Sequence, residues 1–278
     1  MTDDDLERRH GVVPTARLVG LGWTSHAIAS ATRAGTLVRL RPGWLARRDA
    51  HPRVVVAVRA GGCLSCADAL RLHGAWVPER LGRGHVRRSR RARTSGRGGC
   101  LPHGAMPPVD RAIDDVATAF RCLLRCGEPE DVTVVADSLL HLRLATRDEL
   151  ETWSATAPAR MRRALDRVDV AESGLESMVR LRLRSRNVRV RTQVRIEDMR
   201  VDLLVGDVLV VECDGGEHHA TWAAQAADRA RDRRLTTLGF TVVRLTYGQI
   251  VDDWDAVEAD LLSLVRRRAH RARGEMRA

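Results

Sequence analysis

The stretch 202–219 constrains the fold more than any other part of the chain, because it places acidic residues within two apolar runs. These runs meet at Gly206-Asp207, a pair typical of a hairpin turn, so the stretch predicts two antiparallel strands. Asp202 lies on the first run, and Glu212 and Asp214 lie on the second. A buried carboxylate without a partner carries a large desolvation cost. A hard cation offsets that cost, and ligation by oxygen atoms suits Mg2+. The hairpin therefore indicates a metal-dependent phosphodiester hydrolase.

The length of the hairpin loop decides whether the carboxylates meet. A two-residue turn at Gly206-Asp207 pairs Asp202 with Val211 and points Glu212 to the other face of the sheet. A three-residue loop over 206–208 instead places Asp202 opposite Glu212, with their Cβ atoms about 5 Å apart. Asp214 shares the face of Glu212, because side chains alternate along a strand. Metal binding therefore requires the longer loop, to which the Cys213 backbone carbonyl would add a further oxygen ligand.

The charge of the chain favours a polyanionic partner. Its 278 residues carry a formal net charge of +11, and all 47 basic residues are arginine. Arginine is permanently charged and binds phosphate through a bidentate fork. A basic balance of this size favours nucleic acid before an anionic membrane. Arginines cluster at 80–97 and at 266–277. Whether the first cluster contacts nucleic acid or only forms a solvated surface is left open by the sequence.

Two features address the compartment. The chain has no run of about 18 apolar residues, so no membrane span is expected. The N-terminal Asp3-Asp4-Asp5 has the wrong charge for a signal peptide, and a cytoplasmic location is expected.

The six cysteines are interpreted as reduced core residues, as is usual in a cytoplasmic chain. A zinc site is the alternative, because Cys63-x2-Cys66 and Cys100-x2-His103 have acceptable ligand spacing. The second pair lies in a Gly/Pro-rich loop, however, and the first leads directly into a helical pattern.

Residues 1–52 are typical of a winged helix-turn-helix. Thr24-Ser25 is expected to cap a helix that ends before Gly35, and a strand-turn-strand pattern follows over 37–45. In that arrangement the helix enters the major groove, and Arg39 and Arg41 approach phosphates. Any small module of helices and a hairpin gives a similar pattern.

The remainder is predicted to form two domains. Residues 53–168 indicate a mainly helical middle domain with an Arg-rich loop. Its expected helices lie near Ser65–His73, over Val109–Cys126, over Glu130–Leu144 and after a capping box, Thr146-x-x-Glu149. Residues 169–278 predict an α/β domain, a small mixed sheet flanked by helices. The expected order is a helix at Ser173–Arg184, a strand at 188–196, the hairpin, a helix at Trp222–Leu238, a strand at 240–245 and a helix at Trp254–Arg267.

Several short motifs of the C-terminal domain form one recognisable set. They are Glu176, Arg200-Val201-Asp202, Val211-Glu212-Cys213-Asp214-Gly215, His218, Asp228-Arg229-x-Arg231-Asp232 and Val243-Arg244-Leu245-Thr246. In these motifs the region 171–265 resembles the very-short-patch-repair-like branch of the PD-(D/E)xK nuclease superfamily. The closest resemblance is to an actinobacterial family, domain of unknown function 559. Less sharply, Gly35–Trp44 and Cys63–Gly74 resemble the AbiEi-type antitoxin module, a winged helix followed by a helical domain.

The nuclease resemblance implies a restriction-endonuclease-like fold in which Asp202 and Glu212 bind Mg2+, with Mn2+ as a substitute. Asp214 stands at the signature position that is usually Lys, and the chain contains no Lys. The resembling branch also lacks this Lys and has a His nearby, which makes His218 the candidate general base. The scissile phosphate would be held by Arg229, Arg231 or Arg244.

Each candidate also has a structural interpretation. Glu176 completes Ser173-x-x-Glu176, a capping box, so helix capping and metal-site duty are both open. Asp228 and Asp232 are spaced to form ion pairs on the helix surface. Asp202 and Glu212 could simply pair with arginines.

The sequence thus predicts a Mg2+-dependent DNA endonuclease with an N-terminal DNA-binding module, active in DNA repair or phage defence. The alternative is a non-catalytic transcriptional regulator or antitoxin of AbiEi type. Whether the substrate is DNA or RNA remains open, because phosphate contacts carry no base information. A homodimer and a toxin-antitoxin partner are also left open by the sequence.

Overall fold

The computed structural model describes residues 10–88, 98–169, 171–215 and 222–272, and the side chains within 222–227 are outside the description. The chain divides into two compact units. The first contains Met1–Val135 and Leu142–Asp166, and the second contains Ala136–His141 and Arg167–Ala278. Among the described helices, none combines the length and the apolar character that crossing a membrane requires.

The first unit begins with two short helices and a three-stranded sheet. Its elements are β1 (Val12–Pro14), α1 (Thr15–Gly20), α2 (Ser25–Arg33), β2 (Leu37–Arg41) and β3 (Trp44–Arg47). The sheet has the order β1-β3-β2 with antiparallel pairing. Thr24 caps α2, because its hydroxyl accepts a 3.1 Å hydrogen bond from the Ala27 amide. Leu18, Ile28 and Leu45 pack together beneath these elements. The predicted helix and hairpin are therefore present.

The rest of the first unit is mainly helical. Its elements are α3 (Pro52–Arg59), β4 (Gly62–Leu64), α4 (Cys66–Leu72), a 3-10 turn (Glu79–Leu81), β5 (Val86–Arg88), α5 (Val116–Cys126), α6 (Pro129–His141), α7 (Arg147–Ser154) and α8 (Ala159–Leu165). The last six residues of α6 belong to the second unit. The predicted capping box of Thr146 and Glu149 is present. The helix expected from Val109 begins only at Val116, which corrects the prediction. Asp115 caps it by accepting from the Thr118 amide, and Ile113 instead pairs with Leu64 in a parallel β-bridge.

Two arginines of the cluster at 80–97 have structural partners. Arg87 is buried, and its guanidinium donates two hydrogen bonds, of 2.7 and 2.6 Å, to the Asp114 carboxylate. Arg80 forms a 2.7 Å ion pair with Asp131. Residues 89–97 of the cluster lie outside the described residues. Arg87 therefore does not contribute to any phosphate contact of this cluster, because its charge is neutralised in the core.

The second unit contains a four-stranded mixed sheet with helices. Its elements are α9 (Gly174–Ser185), β6 (Val190–Ile196), β7 (Met199–Val205), β8 (Leu209–Asp214), α10 (Trp222–Thr237), β9 (Thr241–Thr246), α11 (Tyr247–Val251) and α12 (Trp254–Arg266). The order is β6-β7-β8-β9, and β9 runs parallel to β8, whereas the other pairs are antiparallel. This is the predicted sequence of elements with one addition, α11, which Thr246 and Gln249 cap reciprocally.

A buried ion pair anchors α9 within the second unit. The Arg180 guanidinium lies 2.5 Å from the Asp137 carboxylate, and both side chains are almost wholly shielded from solvent. The same carboxylate accepts hydrogen bonds from the Ser177 hydroxyl and the Asp169 amide. Breaking such a pair leaves an uncompensated buried charge, which is costly. These contacts hold α9, the helix that carries Glu176, in a defined position.

Candidate active site

The β7–β8 hairpin has a three-residue loop. The last pair of the ladder is Val205 with Leu209, which leaves residues 206–208 as the loop. Leu203 pairs with Val211, so the same register places Asp202 opposite Glu212. The Cys213 amide donates a 2.9 Å hydrogen bond to the Asp202 carboxylate, which links the two strands at this level. The structure thus has the longer loop that a shared carboxylate site requires.

A row of polar side chains crosses the sheet at the level of Asp202. On β6, Thr192 and Val194 pair with Leu203 and Val201, so the intervening Gln193 lies opposite Asp202. On the other side of the row, Glu212 pairs in parallel register with Arg244 of β9. Each of the four strands thus contributes one polar residue to this row, and we call Gln193, Asp202, Glu212 and Arg244 the polar row.

Glu176 joins the polar row from α9. Its side chain is buried, and its carboxylate accepts a 2.6 Å hydrogen bond from the Gln193 amide and a 3.1 Å bond from the Glu172 backbone amide. Burial and the neighbouring charge of Asp202 raise the pKa of Glu176. Ser173 does cap α9 through the Glu176 amide at 3.2 Å. Because Glu176 also reaches Gln193, its carboxylate contributes to the site as well as to the start of the helix.

The surroundings of Glu212 disfavour its ionised form. It is only 4% exposed, and the Arg231 guanidinium donates a 3.0 Å hydrogen bond to one of its carboxylate oxygens. Burial first, and the charge of Asp202 second, raise the pKa of Glu212 to about 7, against the opposing effect of Arg231. The predicted arginine partner therefore exists, yet it does not offset the crowding of the two carboxylates.

Arg244 faces acidic groups on both sides. Its guanidinium donates to both oxygens of Asp232 on α10, at 2.9 and 3.1 Å, and lies 3.4 Å from the exposed Asp214. The hydrogen bonds with Asp232 raise the pKa of Arg244, which remains a cation. Asp232 thus pairs with Arg244 of β9, whereas the sequence interpretation placed its ion pairs on the surface of its own helix.

The other predicted residues are placed as follows. Arg229 is exposed on α10, whereas His218 lies outside the described residues. Arg39 is exposed on β2 of the first unit. Arg41 is half-buried, with its guanidinium carbon 5.0 Å from the centre of the Trp44 ring, so part of its surface is used in packing.

The oxygen atoms collected here fit a hard divalent cation. Asp202 and Glu212 supply carboxylates from adjacent strands, the Cys213 carbonyl follows directly, and Glu176 lies behind them. Mg2+ prefers such ligands and keeps several of its waters. Sequence reasoning missed Gln193, although a signal was available. It is a polar residue between Val190 and Val194, on a strand expected to flank the acidic hairpin.

Residues 175–265 match the family model REase_MTES_1575, which describes a restriction-endonuclease-like family. No curated protein matches the chain. Among solved structures, the chain is similar to the catalytic domain of the homing endonuclease I-Bth0305I, with 19% identity over 33% of this chain and 94% of that chain, and a TM-score of 0.30. The family match spans α9 to α12 and includes Glu176 and the whole polar row. The C-terminal region thus has a restriction-endonuclease-like domain.

Proposed function

We propose that the second unit hydrolyses phosphodiester bonds in DNA with Mg2+, which Asp202, Glu212 and the Cys213 backbone carbonyl would hold. Mn2+ would serve as a substitute. One observation carries the proposal: within the region of the family match, two carboxylates lie opposite each other on adjacent strands, and one of them is buried. Nuclease chemistry gives this costly arrangement a purpose, because a bound cation would neutralise charges that Arg231 alone leaves uncompensated.

The described side chains have distinct roles in this proposal. When bound, Mg2+ would lower the pKa of water and neutralise charge that develops on the phosphate. Gln193 orients Glu176 through its 2.6 Å hydrogen bond, which leaves that carboxylate beside Asp202. Arg231 and Arg244 lie at the opposite end of the polar row and would bind the scissile phosphate, together with Arg229 on the same helix as Arg231.

His218, four residues beyond Asp214 in the sequence, would act as the general base and take the proton that the attacking water releases. Histidine titrates near neutrality and suits this role, whereas arginine does not release its proton. His218→Ala would therefore lower cleavage at neutral pH while leaving DNA binding in place.

The first unit is proposed to bind DNA as a winged helix. Two helices precede a hairpin, α2 is capped by Thr24, and Arg39 is exposed on the hairpin. In this arrangement α2 would enter the major groove and Arg39 would contact phosphate. Such binding weakens with salt, by about one unit of log-log slope for each neutralised phosphate.

A non-catalytic DNA-binding regulator of AbiEi type is the second candidate. The observation in its favour is the residue at the signature position. Asp214 stands where a lysine is usual, and its exposed carboxylate pairs with Arg244. The contact of Arg231 with Glu212 would then simply neutralise a remnant of the nuclease site.

Cleavage of supercoiled and linear DNA by the full chain separates the two candidates. Wild type is compared with Asp202→Asn and Glu212→Gln, with and without Mg2+ or Mn2+. Asp207→Asn serves as the matched control, since Asp207 is an exposed acid in the loop of the same hairpin. DNA affinity of each protein is measured in EDTA at two salt concentrations.

We expect wild type to cut DNA only when the metal is present. This cutting should persist in Asp207→Asn and disappear in both site variants, which should retain their DNA affinity. Salt-sensitive binding with no cutting of either DNA or RNA by wild type would overturn the nuclease and support the regulator. Cutting of RNA alone would correct the substrate. Binding that does not respond to salt would contradict both candidates.

A further inference from the structure

Four metal-binding side chains converge in the first unit, far in sequence from the polar row. They are Cys66 at the start of α4, His85 before β5, Cys100, and Cys126 at the end of α5. One ligand atom from each lies within 4.8 Å of all the others. The Sγ atoms of Cys100 and Cys126 are 3.8 Å apart, and Cys100 Sγ lies 3.5 Å from Nδ1 of His85. We call these four residues the cysteine-histidine cluster.

These separations match the edges of a tetrahedral zinc site. Zn–S bonds of about 2.3 Å and Zn–N bonds of about 2.05 Å imply S–S edges of about 3.8 Å and S–N edges of about 3.5 Å. A disulfide would instead require two sulfur atoms at about 2.05 Å. We propose that the cysteine-histidine cluster is a structural Zn2+ site with three thiolate ligands and Nδ1 of His85.

The imidazole of His85 is already oriented for this role. Its Nε2 atom lies 2.7 Å from the Leu81 carbonyl oxygen, which can only accept, so Nε2 carries the proton. Nδ1 therefore presents its lone pair toward Cys100. Zinc-bound histidines generally make this kind of second hydrogen bond, which fixes the tautomer and the ring. The amides of Gly84 and His85 both donate to the buried Asp68 carboxylate, at 2.6 and 2.9 Å, and this holds the backbone beneath the ring.

Cys66 provides an independent observation. Its φ angle is +49°, in the left-handed region that residues other than glycine rarely adopt. The residue is fully buried at the first position of α4. Residues in such conformations concentrate at functional sites, where the surroundings compensate for the strain. Zinc coordination would supply that compensation here, because in this conformation the Cys66 thiol lies within 4.8 Å of the other three ligand atoms.

The ligand set differs from the alternative that sequence spacing allows, which is Cys63, Cys66, Cys100 and His103. Of that earlier set, only Cys66 and Cys100 belong to the cluster. Cys63 instead donates a 3.2 Å hydrogen bond to Asp114, and His103 lies beside Arg125 on the protein surface. His85 and Cys126 take their places. No cysteine or histidine lies within four residues of His85 in the sequence, and of the pair Cys122-x3-Cys126 only Cys126 belongs to the cluster.

Four protein ligands make a closed site, which is characteristic of structural rather than catalytic zinc. The metal would connect the ends of two helices to His85, within the Arg-rich stretch 80–97, and to Cys100, which follows that stretch. Three thiolates and Zn2+ leave one negative charge, and Arg83 and Arg88 lie in the same cleft as His85, Cys100 and Cys126. The site would thus fix the two ends of a basic segment within the proposed DNA-binding unit.

The test is the metal content of the full-length protein, purified with a thiol reductant and without chelator. Zinc per chain is measured by elemental analysis after dialysis, and Co2+ is then exchanged in to record its visible spectrum. Cys100→Ser and Cys126→Ser test the ligands. Two controls are Cys122→Ala, a buried thiol one turn before Cys126 on α5, and Asp202→Asn in the second unit.

We expect about one zinc per chain in wild type and in both controls, and loss of zinc in both ligand variants. The Co2+-exchanged wild type should show thiolate-to-cobalt charge-transfer bands together with tetrahedral d–d bands. The Co2+ spectrum requires no variant and so decides the matter even if a variant fails to fold. Absence of zinc with no cobalt-thiolate bands, or a Cys100–Cys126 disulfide found by mass spectrometry under the same reducing conditions, would overturn the proposal. Zinc lost in Asp202→Asn but retained in Cys100→Ser would also overturn it, by placing the metal at the polar row.

Discussion

Replacing Glu212 with Gln is expected to stabilise the metal-free protein at pH 8. The pKa of Glu212 is raised from its ordinary 4.5 to about 7 by burial and by the charge of Asp202. Each pKa unit corresponds to about 1.4 kcal/mol, so holding this carboxylate ionised in the folded state costs about 3 kcal/mol. Glutamine has the shape of the protonated acid and removes the cost. We therefore expect the free energy of unfolding at pH 8 to rise by up to about 3 kcal/mol.

The sign of this effect reverses the usual behaviour of a carboxylate in an ion pair. The folded-state pKa exceeds the unfolded value, so the stability that protonation of Glu212 contributes is complete below about pH 4.5. It is lost as the pH rises through about 7. Glu212→Gln should therefore differ from wild type at pH 8 and differ little at pH 4.5. The pH dependence of the difference identifies its electrostatic origin.

The assay must report on the second unit alone. Hydrogen exchange of peptides from β7 and β8, followed by mass spectrometry over a urea series in EDTA, gives the local free energy of unfolding. Asp214→Asn is the matched control, because Asp214 lies on the same strand but is exposed, and we expect a change of less than about 0.5 kcal/mol. Equal destabilisation by Glu212→Gln at both pH values would refute the reasoning. It would show that the contact with Arg231 outweighs the repulsion from Asp202.

Two further predictions concern the same unit. Asp137→Ala leaves the buried Arg180 without its partner and should lower the free energy of unfolding by about 3–5 kcal/mol. Hydrogen exchange in α9 measures this change. A loss below about 1 kcal/mol would show that Arg180 finds another acceptor. The affinity for Mg2+, measured by calorimetric titration, should fall as the pH drops below about 7, because Glu212 must release a proton to bind the metal. Equal affinity at pH 6 and pH 8 would contradict the role of Glu212 as a ligand.

The order of elements in the second unit could be predicted because its patterns are local. Val190, Val194 and Ile196 alternate with polar residues along β6, and a helical pattern separates the hairpin from β9. The loop length could not be predicted, since Gly206-Asp207 fits either turn. A distant contact stabilises the longer loop: the amides of Asp207 and Val208 both donate to the His270 carbonyl oxygen, at 2.7 and 3.3 Å. Nothing in the hairpin sequence indicates that partner.

The cysteine-histidine cluster was harder to predict for a similar reason. Spacing rules detect ligands that come in pairs on one turn or loop, such as Cys63-x2-Cys66. Here each ligand comes from a different segment, and only the fold brings Cys66, His85, Cys100 and Cys126 together. The helix expected from Val109 illustrates the same limit, because pairing of Ile113 with β4 takes precedence over the helical pattern of the neighbouring residues.

The absence of lysine divides one role between different residues at the proposed nuclease site. A lysine at the signature position can supply positive charge and also exchange a proton. Arg231 and Arg244 supply the charge, through contacts with Glu212 and with Asp214 and Asp232. Neither can act as a base, because a guanidinium keeps its proton at any pH at which the protein is folded. The proton must therefore pass to a group that titrates near neutrality. This is why our proposal for catalysis includes His218 in addition to Arg231 and the carboxylates and arginine of the polar row.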